Sequence, residues 1–487
     1  MRLHDLMDAT EVLEVFRDAP VEVSDVIHDS RSVESGALFC CIPGTTTDGH
    51  QFAAAAVERG AVALLVDHEL PLAVPQVGVP SVRRAIGPIA ARFFGDPSHT
   101  MSVVGITGTN GKTSTAFLLG AVMRAAGLHP AVIGTAGVRF DGDIDPWGFT
   151  TPEAPTLQRT LASLRARGAD AVAMEVSSHA LAEHRVDGTV FAVAVFTNLS
   201  HEHLDYHGTL EAYFEAKAGL FAPEFTRHAV VNLDDPAGVR LVDRVTAAGG
   251  PVTTYAIENP AATVRAARVM TDVRGSRFRL ATPQGETDVS ISLLGRFNVE
   301  NALAAAAAAT ALGIELDSVS AGLEAATAVP GRFEAVRSHA PIGVIVDYAH
   351  TAGGIDTALD AARTCTEARV IAVFGCGGDR DRSKRAGMGE AAGRGADVVV
   401  LTTDNPRTED PAAIAEDAAV GLRTTSAEFA IELDRGAAIR MAIGAARPGD
   451  IVVILGKGAE TMQEWADATI PFDDRVVAAA ALESVWN

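Results

Sequence analysis

"MSVVGITGTNGKTSTAFLLGAVMRAAG", residues 101–127, decides the fold. An apolar run leads into small residues around two glycines, and a helical pattern follows. Strand, glycine turn and helix in that order place backbone N–H groups at a helix N-terminus, where they can approach phosphate oxygens closely. Lys112 adds a point charge and Thr113 a hydroxyl suited to Mg2+. The strict P-loop spacing asks for glycine at position 106, where this chain has Ile106. Residues Gly108, Thr109, Asn110, Gly111, Lys112, Thr113 and Ser114 are therefore the candidate site for a nucleoside triphosphate with Mg2+.

The same design recurs along the chain. "DAVAMEVSS", "FAVAVFTNLS" and "RHAVVNLDD" follow in the middle region, and "ARVIAVFGCGGD", "ADVVVLTTDNPR" and "GDIVVILGKG" in the last third. Near-continuous apolar runs separated by helices indicate parallel sheets covered on both faces. Ligands of such sheets bind beyond the carboxyl ends of the strands. The polar residues there include Glu175, Ser177, Asn198, His203, Asp379, Arg407 and Lys457. Turns at "FFGDPSHT" (residues 93–100) and "TAVPGRFEAV" (residues 327–336) mark boundaries. They divide the chain into 1–98, 99–332 and 333–487, consistent with about 150 residues per domain over a length of 487.

Composition excludes more than it identifies. A net charge of -22 argues against nucleic acid, so anionic ligands need local cations and helix N-termini. No apolar run reaches the roughly 20 residues of a membrane span. The opening "MRLHDLMDATEVLEVF" lacks the apolar core of a signal peptide. Cys40, Cys41, Cys365 and Cys376 have neither metal-ligand spacing nor a disulfide framework. They read as reduced, buried thiols of a cytoplasmic protein.

"GTNGKTST", "TTPEAPTLQ", "MEVSSHAL", "TNLSHEHLDYHGTLEAYFEAKAGLF", "LLGRFNVENALAA", "VPGRFE", "DYAHT", "GCGGDRDRSKR" and "DNPR" occur in the order in which the Mur ligases carry them. Over nearly its whole length the chain resembles that family of ATP-dependent enzymes, which add amino acids to the peptidoglycan precursor. The set is most similar to the branch adding the third residue. The resemblance implies three α/β domains: a small UDP-binding one, a central P-loop ATPase with a parallel-rich sheet, and a C-terminal Rossmann-like one. It further implies an acyl phosphate formed with ATP. The split placement of the motifs suggests closure of the last domain on the middle one, and the chain is expected to be a monomer. The implied substrates are UDP-N-acetylmuramoyl-L-alanyl-D-glutamate and a diamino acid.

Residue by residue, the resemblance gives Thr113, Glu175 and His203 to Mg2+, with Lys112, Glu175, His203 and Lys217 catalytic and Lys217 carbamylated. Composition alone makes Lys217 an ordinary solvated helix charge. Asn298, Asn301, Arg332, Asp347 and His350 match nucleotide contacts, although either asparagine also suits a helix N-cap. Ser30 and Arg31, with the "PGTTTDGHQF" loop, match the UDP site; Thr150, Thr151, Ser177 and Arg185 match contacts to the sugar-peptide. Asp404, Asn405 and Arg407 match the motif for meso-diaminopimelate, joined by Arg385, Gly456 and Glu460. Arginine there suits a second carboxylate, which a guanidinium binds bidentately. Three positions depart from the family: Glu202 replaces aspartate, Ala459 replaces histidine, and "TAGG" follows "DYAH" in place of a Pro-Asp continuation. The alternatives are the same reaction with L-lysine or another diamino acid, a related Mur or folylpolyglutamate-type ligase, and a non-catalytic nucleotide-binding protein.

Overall fold

A computed structural model describes the chain except residues 45–46, 146–148, 273, 327–328, 337 and 487, and for residue 205 only the backbone. Part of the expected UDP loop (Thr45, Thr46) and of the second boundary turn (Thr327, Ala328) thus lies outside the described residues. The chain forms two compact units. One comprises Met1–Arg265, Thr282–Gly285 and Asn301–Gly322; the other comprises Ala266–Ala281, Glu286–Glu300 and Leu323–Asn487. Among the described residues no helix is long and apolar enough to cross a membrane.

The first unit carries two sheets. In the smaller, Asp25–Ile27, Ala37–Cys40, Ala63–Val66 and Gln76–Gly78 run parallel, and Glu14–Phe16 closes the edge antiparallel. The larger is built around Ser102–Thr107, flanked in parallel by Ala171–Glu175 and Val193–Phe196. Pro130–Gly134 lies beyond the first neighbour and Ala229–Asn232 beyond the second. The chain thus leaves the central strand on one side and returns on the other, and such a reversal opens a crevice at the carboxyl ends. Every residue of Ala171–Glu175 and Val193–Phe196 is buried, as strands covered on both faces require. Arg83 pairs with Glu183 at 2.8 Å, and a Cβ on Gly87 would overlap the Asp187 backbone. These contacts hold the helix Val82–Phe93 close to the segment before Val193.

The helix after the glycine turn shows why the opening stretch folds as it does. Gly111 takes φ +85° at the N-cap of Lys112–Ala125, a conformation that favours glycine. At the far end Gly127 takes φ +83°; its amide donates to the Arg124 carbonyl, and the Leu128 amide donates to that of Met123. That Schellman arrangement stops the helix after Ala126.

In the second unit Gly343–Asp347, Ile451–Leu455, Val370–Phe374, Val398–Leu401 and Glu428–Ile431 run parallel in that spatial order, with Glu334–Ala335 antiparallel at the edge. Helices pack on both faces, and the apolar cores include Ile345, Ala372, Leu401 and Val453 on one side and Val344, Ile371, Val400 and Val452 on the other. All four cysteines are free and buried. The alanine-rich segment lies in the helix Arg296–Ala311, with Ala302 through Ala309 wholly buried.

Beneath the carboxyl ends of this second sheet lies a fully buried ion pair. Arg435 donates to both carboxylate oxygens of Asp474, at 2.7 and 2.6 Å. It also donates to the carbonyls of Leu455 and Thr403, so it ties together the ends of two strands. Removing one partner of such a pair leaves an uncompensated charge in the core. Asp474→Ala should therefore lose about 3–5 kcal/mol of stability, read by urea unfolding of the second unit's signal. A loss below about 1 kcal/mol would mean that water reaches Arg435.

Candidate active site

At the glycine loop, close packing sets the geometry. Gly108 has φ +150°, and a Cβ there would overlap Thr197 Oγ1 from the neighbouring strand end. Thr197 donates to the Asn110 carbonyl at 2.6 Å, and Asn198 Oδ1 accepts from the Asn110 amide at 2.9 Å. A Cβ on Gly111 would overlap Asn301 Oδ1, which places that asparagine against the loop. Neither asparagine is an N-cap, since the helix begins at Arg296; Asn298 Nδ2 donates back to the Leu294 carbonyl. Gly111 supplies no side-chain cap, so the first amides of the Lys112 helix face the loop without one, as an anion site requires. Thr113 and Ser114 stand in that first turn, half-buried.

Two lysines meet at this loop. Lys112 Nζ donates to the carbonyls of Gly108 and Thr109, at 2.9 and 2.8 Å. Lys217 Nζ donates to the same Gly108 carbonyl at 2.8 Å and lies 4.3 Å from the centre of the Tyr213 ring. Lys217 is 1% exposed, contrary to the solvated helix charge that composition suggests. Burial, then the Lys112 cation, hold its pKa well below the usual 10.5, while Glu202 opposes them. The amine is thereby shifted toward its neutral, nucleophilic form.

Glu175, 1% exposed, ends its strand beside the glycine-loop strand, paired with Ile106. Its Oε1 accepts from the Thr135 amide at 2.9 Å, and the Thr135 hydroxyl lies 3.0 Å from that of Thr150. Thr151 donates to the Glu175 carbonyl and accepts from the Ser177 amide, so this threonine, 1% exposed, is no plain loop residue. Ser177 caps Ser178–Ala182. Arg185 donates to the Thr151 carbonyl and pairs with Glu153 at 3.1 Å. His203 is exposed, takes φ +55°, and meets the rings of His179 and Tyr213 edge-on. Tyr213 in turn shares a 3.3 Å hydroxyl contact with Thr109, linking the histidine cluster to the loop. Ser30 lies apart from this network, in the turn Ser30–Ser32 of the smaller sheet, where Asp29 caps the turn and pairs with Arg31.

In the second unit, His350, Arg385, Asp404, Asn405, Arg407, Gly456 and Glu460 line one cavity of about 330 Å³. Each follows a strand end or begins the next helix. Arg407 donates through Nε to Glu464 at 2.7 Å and through one Nη to the Gly378 carbonyl at 2.8 Å. Its other Nη bonds to no described residue. Arg385 is 2% exposed and is gripped by Glu409 and Asp417. Lys457, wholly buried, donates to Asn405 Oδ1 and Glu460 Oε2, both at 3.0 Å. Asp404 Oδ1 is buried without a hydrogen bond, and burial raises the Asp404 pKa although Arg435 and Lys457 pull it down. Asp347 accepts from the Phe333 and Ala349 amides, and Arg332 lies over Tyr348 on the cavity wall.

With this geometry in hand, comparison with known proteins is direct. Residues 22–94 match the model of the Mur ligase family catalytic domain, 106–309 the Mur ligase middle domain, and 331–458 the Mur ligase glutamate ligase domain. A Geobacter metallireducens protein named UDP-N-acetylmuramoyl-L-alanyl-D-glutamate–2,6-diaminopimelate ligase is 44% identical, covering 100% of this chain and 99% of its own. The chain belongs to the Mur ligase family. A Streptomyces coelicolor protein of the same name is 43% identical over 96% of this chain and 94% of its own. A solved structure of an enzyme so named superposes with a TM-score of 0.76 at 35% identity, covering 98% of both chains. A folylpolyglutamate synthase from Mycobacterium tuberculosis shares the fold, with a TM-score of 0.58, 21% identity and 80% of this chain covered.

Sequence reasoning about this Mur ligase passed over several residues. Lys457 was noted at its strand end without a role. Tyr213 precedes Lys217 by four residues on one helix, a spacing that places side chains together. Glu409 and Asp417 lie 24 and 32 residues beyond Arg385, where no local pattern reveals them.

Lys217 makes stability depend on pH in a definite direction. Its folded pKa is depressed, so between that value and 10.5 the folded chain binds fewer protons than the unfolded one. Its contribution is fully present above 10.5 and is lost as pH falls through the folded value. Lys217→Met should therefore gain stability relative to the parent as pH falls through this window, in urea titrations in CO2-free buffer. Parallel pH profiles would show that Lys217 is not desolvated.

Proposed function

We propose that this chain is an ATP-dependent ligase that joins meso-diaminopimelate to UDP-N-acetylmuramoyl-L-alanyl-D-glutamate in peptidoglycan synthesis. The observation that carries the choice of amino acid is the cavity holding Arg407, Asp404, Asn405 and Glu460 together. Diaminopimelate carries an ammonium and a carboxylate at each end. The uncommitted Nη of Arg407 suits its distal carboxylate, and Glu460 and Asp404 suit its ammonium groups. The relatives' names agree with that reading.

In the reaction, the γ-phosphoryl group of ATP passes to the substrate carboxylate and ADP leaves. The neutral amine of diaminopimelate then attacks the acyl carbon, loses a proton, and phosphate departs as the amide forms. The uncapped amides after Gly111, together with Lys112, hold the phosphates. In this reading Asn301, against the loop, serves the nucleotide, and Asn298, Arg332, Asp347 and His350 are further nucleotide contacts that the family resemblance implies. Thr113, Glu175 and His203 offer the hydroxyl, carboxylate and imidazole donors for Mg2+, which offsets charge on the phosphates. Thr150, Thr151, Ser177 and Arg185 orient the sugar-peptide, and Ser30 and Arg31 hold its uridine diphosphate. Lys217 is carbamylated in this reading: its neutral amine adds to CO2 and releases a proton, leaving an anion beside the loop. Arg385, clamped by Glu409 and Asp417, acts by positioning the cavity wall and offers an amino acid little free guanidinium.

The deciding assay is phosphate release from ATP with the UDP-sugar dipeptide and diaminopimelate, lysine or ornithine in turn. Diaminopimelate should be the preferred acceptor. Arg407→Lys should raise its KM by roughly 10- to 100-fold, the worth of a charge-assisted bond of about 1.5–3 kcal/mol, and move kcat less. Preference for lysine by the parent, or an unchanged KM in the variant, would overturn the assignment.

A further inference from the structure

Outside the glycine loop and the second unit's cavity, His50, Asp67 and His68 bring three ligand atoms within 4.8 Å of one another, the one such trio found among the described residues; His50 belongs to the loop that matches the UDP site. His50 stands in the turn Gly49–Phe52, and Asp67 and His68 directly follow the strand Ala63–Val66. Asp67 Oδ1 lies 3.2 Å from His50 Nε2 and 2.5 Å from His68 Nδ1, and the two imidazole rings stack at 4.4 Å. On its far side His50 Nδ1 meets Asp48 Oδ1 at 2.6 Å.

We propose that these residues form a binding site for a divalent transition ion of borderline softness, Zn2+ foremost. Two imidazoles and a carboxylate supply an N2O donor set, which suits zinc and its first-row neighbours better than it suits Mg2+, whose sites are dominated by oxygen donors. Donors around tetrahedral zinc at about 2.0–2.1 Å stand about 3.3 Å from one another, close to the His50–Asp67 separation, whereas the exposed His68 must turn away from its 2.5 Å contact with Asp67 to join the ion. The Asp48 carboxylate keeps the His50 proton on Nδ1 and turns the Nε2 lone pair toward Asp67, the outer-sphere arrangement common to zinc-bound histidines. His50 is 8% exposed while His68 is open to solvent, so the site has one rigid wall and room for water in the remaining position. A bound ion would pin the turn after Asp48 to the end of the neighbouring strand.

The test is Co2+ titration of the untagged, chelator-stripped full chain in excess Mg2+, followed by visible absorption and by displacement with Zn2+. One Co2+ per chain should bind and be displaced. His68→Ala should weaken binding at least tenfold, and Asp48→Asn roughly 10- to 100-fold through loss of the orienting carboxylate. His68 is exposed, so its variant should fold; Asp67→Asn provides a second ligand variant. Absence of a displaceable band, or affinity unchanged from the parent in both His68→Ala and Asp67→Asn, would overturn the proposal. Because no turnover is read, the result stands apart from the ligase assignment.

Discussion

The contact between Gly108 and Thr197 is the constraint on which the nucleotide end rests. Two parallel strands end side by side, and the loop from one can pass the other only where no Cβ intervenes. That approach lets Thr197 and Asn198 grip the Asn110 peptide, which in turn leaves the Gly108 carbonyl facing Lys112 and Lys217. A single carbonyl shared by two amines is a high-energy arrangement unless one of them is neutral. The depressed pKa of Lys217 thus follows first from its own burial and then from the Lys112 cation, which the packing of a glycine 109 residues earlier in the chain brings beside it.

Much of this fold is legible in the sequence because burial on both faces of a parallel sheet writes itself as unbroken apolar runs. "DAVAMEVSS" and "GDIVVILGKG" can be little else, and their polar endings point to the functional edge. Lys217 is not legible in this way. Its helix, Leu210–Ala218, mixes Glu211, Tyr213, Phe214 and Glu215 so evenly that no face identifies itself as buried. Only the family resemblance singles out that lysine. Arg385 illustrates the other limit: its side chain is consumed by carboxylates from a different helix and loop, and pairing across the fold leaves no trace in local spacing.

The acidic composition makes the cation arrangement in the second unit intelligible. Diaminopimelate is net neutral, so a chain charge of -22 gives it no net long-range attraction, and recognition must be short-range and stereochemical. Lys457 and Arg435 are both wholly buried under the cavity floor, where neither is screened by solvent. Both spend their N–H donors mainly on protein groups, and their role is to hold Asn405, Glu460 and the strand ends in place. Arg407, which lines the cavity with Arg380 and Lys384, is left partly free. Its left-handed backbone, φ +51°, and its bond to Glu464 aim it without exhausting it.

Two departures from the family pattern bear on whether this network is intact. Ala459 stands where the family has histidine, yet its side chain is exposed, and the tight packing at that point is made by backbone: a Cβ on Gly331 would overlap the Ala459 amide. Lys457 and Glu460 on either side keep their mutual bond, so the missing imidazole costs the cavity none of the contacts that orient Glu460. In "TAGG", Thr351 caps Ala352–Arg363 by accepting from the Gly354 amide at 3.2 Å. Glycines in a first helical turn are weak helix formers, but their cost falls on residues whose amides need a cap in any sequence, and Thr351 supplies one. The helix therefore begins where His350 can still reach the cavity wall, with its Nδ1 2.9 Å from the Tyr348 carbonyl. Neither Ala459 nor residues 352–354 line the amino-acid cavity, and neither departure removes a group on which the choice of diaminopimelate depends.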